Sequence, residues 1–549
     1  MIAEKGFLKG LNPTVAVWSK FIVFALVIFA AVWTETAGGV FSAVKDWMIH
    51  ALKWYYLGIV AIFLFFTIYL MFSRFGNIRL GDDDERPEFG YFSWFSMLFG
   101  AGMGIGLVFW SIAEPIYHFQ GNPFIGDGMS IAAETPRAAQ VAMRLTFFHW
   151  GLHPWAIYVI VGLALAYFAY RRKLPLTIRS SLYPLIGERI YGPIGHAADI
   201  LAIFGTVFGV ATSLGLGVQQ MATGLYELTG VGFFVTEVTN DAGEITRSPN
   251  DVAMLVLIAV ISAVATLSVV SGVGKGVKIL SELNLWLSIA ILVFLIVFGP
   301  TRYLLNLFLQ STGDYLAHVV PLSMWADANL DRPWQGWWTA FYWGWWIAWA
   351  PFVGMFIARI SRGRTIRDFV IGVLIVPTLL AFVWITLFGG TALHIEIFGE
   401  GGISEAVSKD LTSALYVTFD KMDVGVVGTI FSAVATLLIA TYFVTSSDSG
   451  TLVVNTLLSM GDPEPPMVHR IIWGLSEGAV AAVLLLAGGL SALQTASITA
   501  ALPFSVIMIF MCIGLMQSLR TEVPGPQYAG TGVRVSGGLD EQADQPRHG

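Results

Sequence analysis

The sequence predicts an all-α integral membrane protein of about twelve transmembrane helices. Three observations carry that reading. Of its 549 residues, 56% are hydrophobic and only 12% are charged, against about 25% charged in ordinary soluble domains. The mean hydropathy is +0.71. Apolar runs of about 17–25 residues, the length that crosses a bilayer as a helix, recur along the whole chain. The net charge of −7 says little, because most of the chain belongs in lipid. Cys512 is the only cysteine, which excludes a disulfide framework and a Cys-rich metal site. No G-x-x-x-x-G-K-[ST] segment occurs, so the chain has no ATP-binding loop of its own.

Two spans fall near 18–36 and 54–73. The first apolar run follows Lys5, Lys9 and Lys20 and superficially resembles a secretory signal. It is long enough to span, and more spans follow it, so it reads as a retained first helix. Five spans fall near 93–113, 145–170, 198–222, 252–271 and 282–300, and five more near 337–360, 366–389, 426–448, 470–488 and 496–518. Mixed polar and apolar segments at 302–320 and 402–420 read as shorter helices along the membrane surface. With the N-terminus inside, roughly 21 of the 30 lysines and arginines fall on the cytoplasmic side, as the positive-inside rule requires. The expected location is the inner (plasma) membrane, with both termini cytoplasmic.

The expected organisation is a cytoplasmic N-terminus (1–17), two additional N-terminal helices (18–92), a first five-helix repeat (93–300), a connecting surface helix (301–336), a second repeat (337–518) and a disordered cytoplasmic tail (519–549). The third and eighth spans are both interrupted by Gly or Pro and stand five helices apart. Paired broken helices in equivalent positions point to a transporter site at an inverted-repeat interface.

The stretch containing the eighth span, WQGWWTAFYWGWWIAWAPFVGMFIARISRGRTIR (334–367), carries seven tryptophans before Pro351. Trp337 and Trp338 suit a headgroup position, but Trp345, Trp346 and Trp349 fall near mid-span. Tyr342, Trp346 and Trp349 share one helix face at i, i+4, i+7. A single mid-depth tryptophan reads as packing. Three flanked by Gly344 and Pro351 read as a box for a desolvated cation, each ring contributing ~0.5–2 kcal/mol.

In the third span, Gly100, Gly102, Gly104 and Gly106 alternate within FGAGMGIGLVFWSIAEP (99–115). Each glycine costs ~1 kcal/mol against alanine in a helix, which invites local unwinding. The segment would then expose backbone groups to a substrate; the alternative is close helix packing through small residues. No βαβ context supports a dinucleotide loop. Glu114 is expected near the outer interface, in a structural role. The fourth span, FFHWGLHPWAIY (147–158), carries Trp150, Trp155 and Tyr158, with His149 and His153 on one face at i, i+4. Without a carboxylate companion in sequence, these read as hydrogen-bonded histidines rather than metal ligands. Thr445, Ser446, Ser447 and Ser449 in TYFVTSSDSG (441–450) either bond back to the preceding turn or supply oxygen ligands to a small cation.

Together GMGIGLVFWSIAEP (102–115), FHWGLHPWAIY (148–158), TVFGVATSLGLG (206–217), FYWGWWIAWAPFVGMFIARISRGR (341–364) and FVTSSDSG (443–450) resemble the betaine/carnitine/choline transporter family from about residue 15 to 518. The resemblance implies a sodium–leucine-symporter type of fold with two extra N-terminal helices, alternating access and a homotrimer. It places a quaternary ammonium among Trp150, Trp155, Tyr158, Trp345, Trp346 and Trp349. The substrate carboxylate would meet the backbone around Ala101, Met103, Gly104 and Gly106. Choline carriers of the family tend to have Asp where this chain has Gly106, so a zwitterion is expected, glycine betaine or a close analogue. Dimethylsulfoniopropionate, ectoine, carnitine and choline remain alternatives.

The resemblance places one sodium site at Gly100, Met103, Tyr442, Thr445 and Ser446, and another at Thr206 and Phe352. Val210 replaces a second threonine there, removing an oxygen ligand. Sodium is the expected coupling ion, a proton the alternative; no mid-membrane carboxylate relay is evident in the sequence. The expected function is therefore a secondary symporter. No cofactor and no nucleic acid partner are expected. A channel or onium receptor would more readily show charge rings or a filter loop, and an enzyme a nucleophile, base or metal constellation. Neither is visible. The short tail, with DEQAD near its end, implies nothing about osmotic regulation.

Overall fold

Asn12 starts the first helix: its side chain accepts from Val15 N at 3.1 Å, and Pro13 fills the first turn, where an N–H would have no partner. The computed structural model describes residues 2–102, 104–126, 128–239, 245–271, 276–328, 330, 332–462 and 464–522. It is nearly all helical. Helix α1 (Pro13–Val32) runs into the long α2 (Thr34–Phe72), followed by α3 (Tyr91–Gly102), α4 (Ile105–Gln120), α5 (Pro136–Trp150) and α6 (Leu152–Ala166). A single turn, α7 (Tyr183–Ile186), precedes α8 (Pro193–Thr229). Then come α9 (Asp251–Ser271), α10 (Gly276–Phe298), α11 (Thr301–Met324), α12 (Phe341–Ile360) and α13 (Ile366–Phe398). Two short helices, α14 (Ile403–Lys409) and α15 (Ala414–Lys421), lead to α16 (Val426–Leu458) and α17 (Met467–Glu522).

Among the described residues ten helical segments are long and apolar enough to cross a membrane. The third predicted span is not one of them, because it is split into α3 and α4 around Gly104, whose backbone is extended. α17 joins the two last predicted spans across non-helical backbone at Gly488 and Gly489; the φ of +56° at Gly489 suits a residue without Cβ. α11 is longer than the surface helix expected, burying Leu304, Leu307, Ser311 and Tyr315 along one face while Leu305, Leu309 and Leu316 stay exposed. A small hairpin, β1 (Val235–Thr239) with β2 (Ile245–Pro249), links α8 to α9.

Burial separates a periphery from an interior. Only 28% of the α1 and α10 spans is buried, against 89% of Pro136–Arg171 and of Gly336–Ile360. Exposed Trp54, Leu267, Trp286 and Phe72 suit contact with lipid, whereas α4, α5, α6, α8 and α12 form the centre. Two buried arginines are compensated: Arg179 donates to Asp199 at 2.6 Å, and Arg364 stacks 4.0 Å from the Trp94 ring centroid. Both π-helical turns, Tyr167–Arg171 and Gly336–Ala340, adjoin the most buried spans.

Candidate functional site

Gly151 interrupts the fourth span directly after Trp150. Its backbone ends α5 at ψ −134°, and a Cβ there would fall 2.5 Å from Phe147 O and 2.9 Å from Tyr315 Oη. The break separates His149 from His153, so the pair expected on one face does not form. His149 Nδ1 lies 2.6 Å from Glu114 Oε1, while His153 Nε2 lies 2.7 Å from Ser323 Oγ.

On either side of that break, Trp150 and Tyr158 face α12. A cavity is lined by Trp150, Tyr158, Trp345, Trp346 and Trp349, with Gly104, Gly106, Leu107 and Ser213 completing it. Trp346 is edge-on to Trp150 at 5.2 Å and to Tyr158 at 5.5 Å between ring centroids. Trp345 is edge-on to Trp150 at 6.3 Å. Each edge-to-face contact covers one face of one ring only, and the faces that remain toward the cavity carry the negative end of the quadrupole. Trp155 does not line the cavity; it packs edge-on behind Tyr158 at 5.5 Å. Trp349 is fixed by its indole N–H, which donates to Gly209 O at 2.7 Å. The hydroxyl of Tyr158 and the indole N–H groups of Trp345 and Trp346 are buried without a protein partner.

Gly106 lies in the first turn of α4, beneath Trp345, whose ring a Cβ at that position would overlap. Gly104 lines the cavity near Trp349. Gly100 and Ala101 belong to the last turn of α3, and Met103 lies outside the described residues. Of the other residues expected at ion sites, Thr206, Phe352, Tyr442 and Ser446 are buried and Thr445 is partly exposed, with their polar groups engaged as follows. Tyr442 Oη pairs with Ser288 Oγ at 2.9 Å, Thr445 Oγ1 accepts from Asn284 Nδ2 at 3.0 Å, and Thr206 donates to Ala202 O at 2.9 Å. Phe352 packs on Trp349 with ring centroids 5.4 Å apart. Ser446 is buried on the same helix.

Sequence reasoning missed two features. Ser213 sits one turn after Gly209 on α8 and reaches the cavity; its motif was visible, its orientation was not. Glu114 is wholly buried within the protein, and its partners were not readable from the sequence. Trp150 Nε1 and Tyr342 Oη donate to its Oε2 at 2.7 and 2.5 Å, and its Oε1 lies 2.6 Å from His149 Nδ1 and 3.2 Å from His118 Nε2. Four N–H and O–H groups converging on one carboxyl are the partners an ionised carboxylate takes when it has no counter-ion. The carboxylate companion of His149 thus comes from α4, 35 residues away. Glu114, His118 and His149 also lie close enough to hold a metal, but the carboxylate is already saturated by donors. One of these, Trp150, also lines the cavity.

Fold and site together define a multi-span membrane protein that encloses an aromatic cage between interrupted helices. The betaine/carnitine/choline family transporter model matches residues 14–524, and the chain belongs to that family of transporters. It is 45% identical over 93% of its length to a probable glycine betaine transporter of Desulfitobacterium hafniense, covering 98% of that protein. It is 43% identical over 91% of its length to a glycine betaine transporter of Bacillus subtilis, covering 94% of it. A glycine betaine/proline/choline/ectoine transporter of Vibrio parahaemolyticus is 39% identical over 93% of this chain and 88% of its own length.

Proposed function

We propose that the protein is a secondary symporter that imports glycine betaine, or a closely related zwitterionic onium osmolyte, by alternating access coupled to sodium. The cage around the cavity carries the proposal. Five aromatic side chains meet there, and desolvated quaternary ammonium groups are the usual guests of such cages. Three lining donors, on Tyr158, Trp345 and Trp346, have no protein partner. An unmatched buried donor costs about 1–3 kcal/mol, and a carboxylate on the guest would match them. A zwitterion supplies both ends, whereas a cationic alcohol lacks the anion. The names of the relatives point the same way.

Taking α3–α4 as one interrupted crossing and α17 as two turns the ten long segments into twelve crossings, which we read as two inverted five-helix repeats after two N-terminal helices. Gly104, at the gap between α3 and α4, puts irregular backbone against the cavity, and the break at Gly151 lies directly after the lining Trp150. Sodium is read at Gly100, Met103, Tyr442, Thr445 and Ser446, and a homotrimer in the inner membrane with cytoplasmic termini completes the proposal. The test is uptake of labelled glycine betaine into proteoliposomes under an inward sodium or proton gradient at equal membrane potential. Accumulation with sodium alone is expected. Accumulation with protons alone would remove the sodium sites, and none under either gradient would remove the symport reading.

A further inference from the structure

Five acidic side chains are buried among the described residues, and three of them have basic or imidazole neighbours. Glu114 meets His118 and His149, Asp199 meets Arg179, and Asp327 meets Arg332. Glu477 and Asp448 meet none. The Ser447 hydroxyl donates to Glu477 Oε2 at 3.1 Å, and the Ser268 hydroxyl to Asp448 Oδ2 at 2.6 Å. The remaining oxygens, Glu477 Oε1 and Asp448 Oδ1, are buried without a partner, as is the hydroxyl of Thr451, which faces Glu477.

Glu477 stands ten residues past the start of α17, and Asp448 ten residues before the end of α16, so at 1.5 Å per residue both lie about 15 Å along their helices from the ends that a short loop connects, and both are buried in the protein. No such pair was evident in the sequence; it forms because α16 and α17 fold back on one another. Glycines hold the surroundings close: a Cβ at Gly450 would lie 3.2 Å from Glu477 Oε1 and 3.0 Å from Val210 Cγ2, and one at Gly474 3.5 Å from Thr451 Oγ1. Val210 therefore closes the α8 side with a methyl group and adds no oxygen of its own.

We propose that Glu477, Asp448, Thr451 and Ser447 form a binding site for one monovalent cation, separate from the aromatic cage. Two buried carboxyl groups with no basic partner among the described residues are strongly disfavoured as bare anions. A bound cation removes the penalty and satisfies the free oxygens. The chemistry is hard-oxygen, which suits sodium or a proton and neither a soft metal nor a large organic cation. The site rests on the coupled-transport reading only for its role: its occupancy would link the α16–α17 pair to the transport cycle.

The experiment uses the purified full chain in nanodiscs without substrate, comparing wild type, Glu477→Gln and Asp448→Asn. Equilibrium binding of radioactive sodium and the infrared C=O stretch of protonated carboxyl groups are both recorded. Retained quenching of tryptophan fluorescence by glycine betaine shows that each variant is folded. Wild type is expected to hold one cation more than Glu477→Gln. The difference appears as one bound sodium if sodium is the occupant, and as a protonated-carboxyl band missing from the variant if a proton is. Asp448→Asn should weaken sodium affinity, or shift the pH at which the band disappears, by about tenfold. Equal sodium binding and identical carboxyl bands in wild type and both variants would overturn the proposal. A chain that holds the cation but binds no glycine betaine would sink the substrate reading alone.

Discussion

Replacing Glu114 separates two jobs that its geometry combines. The carboxylate holds Trp150 by one oxygen and His149 by the other, and Tyr342 donates to it from α12. In Glu114→Gln the amide oxygen can keep Trp150 and Tyr342. The amide nitrogen then faces His118 and His149, which can each turn an unprotonated ring nitrogen toward it by changing tautomer. The Trp150 and Tyr342 donors stay matched, but charge-assisted bonds become neutral ones, and the changed tautomer puts a proton on His118 Nδ1, which is buried without a partner. A hydrogen bond to a charged group contributes about 1.5–3 kcal/mol and a neutral one about 0.5–1.5, so the Trp150 contact weakens by about 1 kcal/mol. Fluorescence titration with glycine betaine should show about a fivefold weaker Kd, with a smaller loss in thermal unfolding than the leucine variant suffers. Glu114→Leu leaves the Trp150 N–H and the Tyr342 O–H unmatched inside the protein, each costing about 1–3 kcal/mol. Its melting temperature in detergent should fall sharply. A Glu114→Leu protein that melts and binds like wild type would refute the assigned role of the carboxylate.

Trp346 contacts both Trp150 and Tyr158, so Trp346→Leu should weaken glycine betaine binding about tenfold, within the ~2 kcal/mol of one desolvated cation–π contact; Trp346→Phe should recover most of it, and unchanged Kd in the leucine variant would remove the cage assignment. Gly106→Asp introduces a Cβ that overlaps the Trp345 ring, so glycine betaine binding should be lost by titration without choline binding being gained. Gly151→Ala forces contact with Phe147 O and Tyr315 Oη; about 1–3 kcal/mol of stability should disappear in thermal unfolding, the usual range for overpacking. Ser213→Ala should change Kd less than threefold by the same titration, because its hydroxyl reaches Gly209 O only at 3.4 Å and lines the cavity mainly by its small size.

The fold was legible because membrane helices declare themselves by length and apolarity, which need no tertiary information. The aromatic cage was legible in part for a related reason: Trp345, Trp346 and Trp349 sit at the wrong depth for interfacial anchors. What the sequence could not supply were contacts between residues far apart in the chain. Glu114 meets Trp150 and Tyr342 from positions 36 and 228 residues away, and Glu477 meets Ser447 across 30. Periodicity places His149 and His153 on one face only if the helix continues, and Gly151 stops it. Trp155 carries the same aromatic signal as Tyr158, yet only one of the two lines the cavity.

The glycines show most clearly why a local reading falls short. Alternating glycines in the third span suggest one cause, loss of helix propensity, and therefore one outcome, exposed backbone. Gly104 fits, since its extended backbone separates α3 from α4. Gly106 does not: it is helical, and its missing Cβ makes room for the Trp345 ring. Gly209 on α8 does the same for Trp349, where a Cβ would approach Cδ1 to 2.7 Å while the glycine carbonyl accepts the indole N–H. Two of the tryptophans around the cavity are thus seated on glycines of other helices. A substitution that adds even a methyl group at either seat acts on the cage through ring position, not through backbone flexibility. Gly209→Ala should accordingly weaken glycine betaine binding while leaving the helix content measured by circular dichroism unchanged. A loss of helix without loss of affinity would show that Gly209 serves the backbone and not the ring.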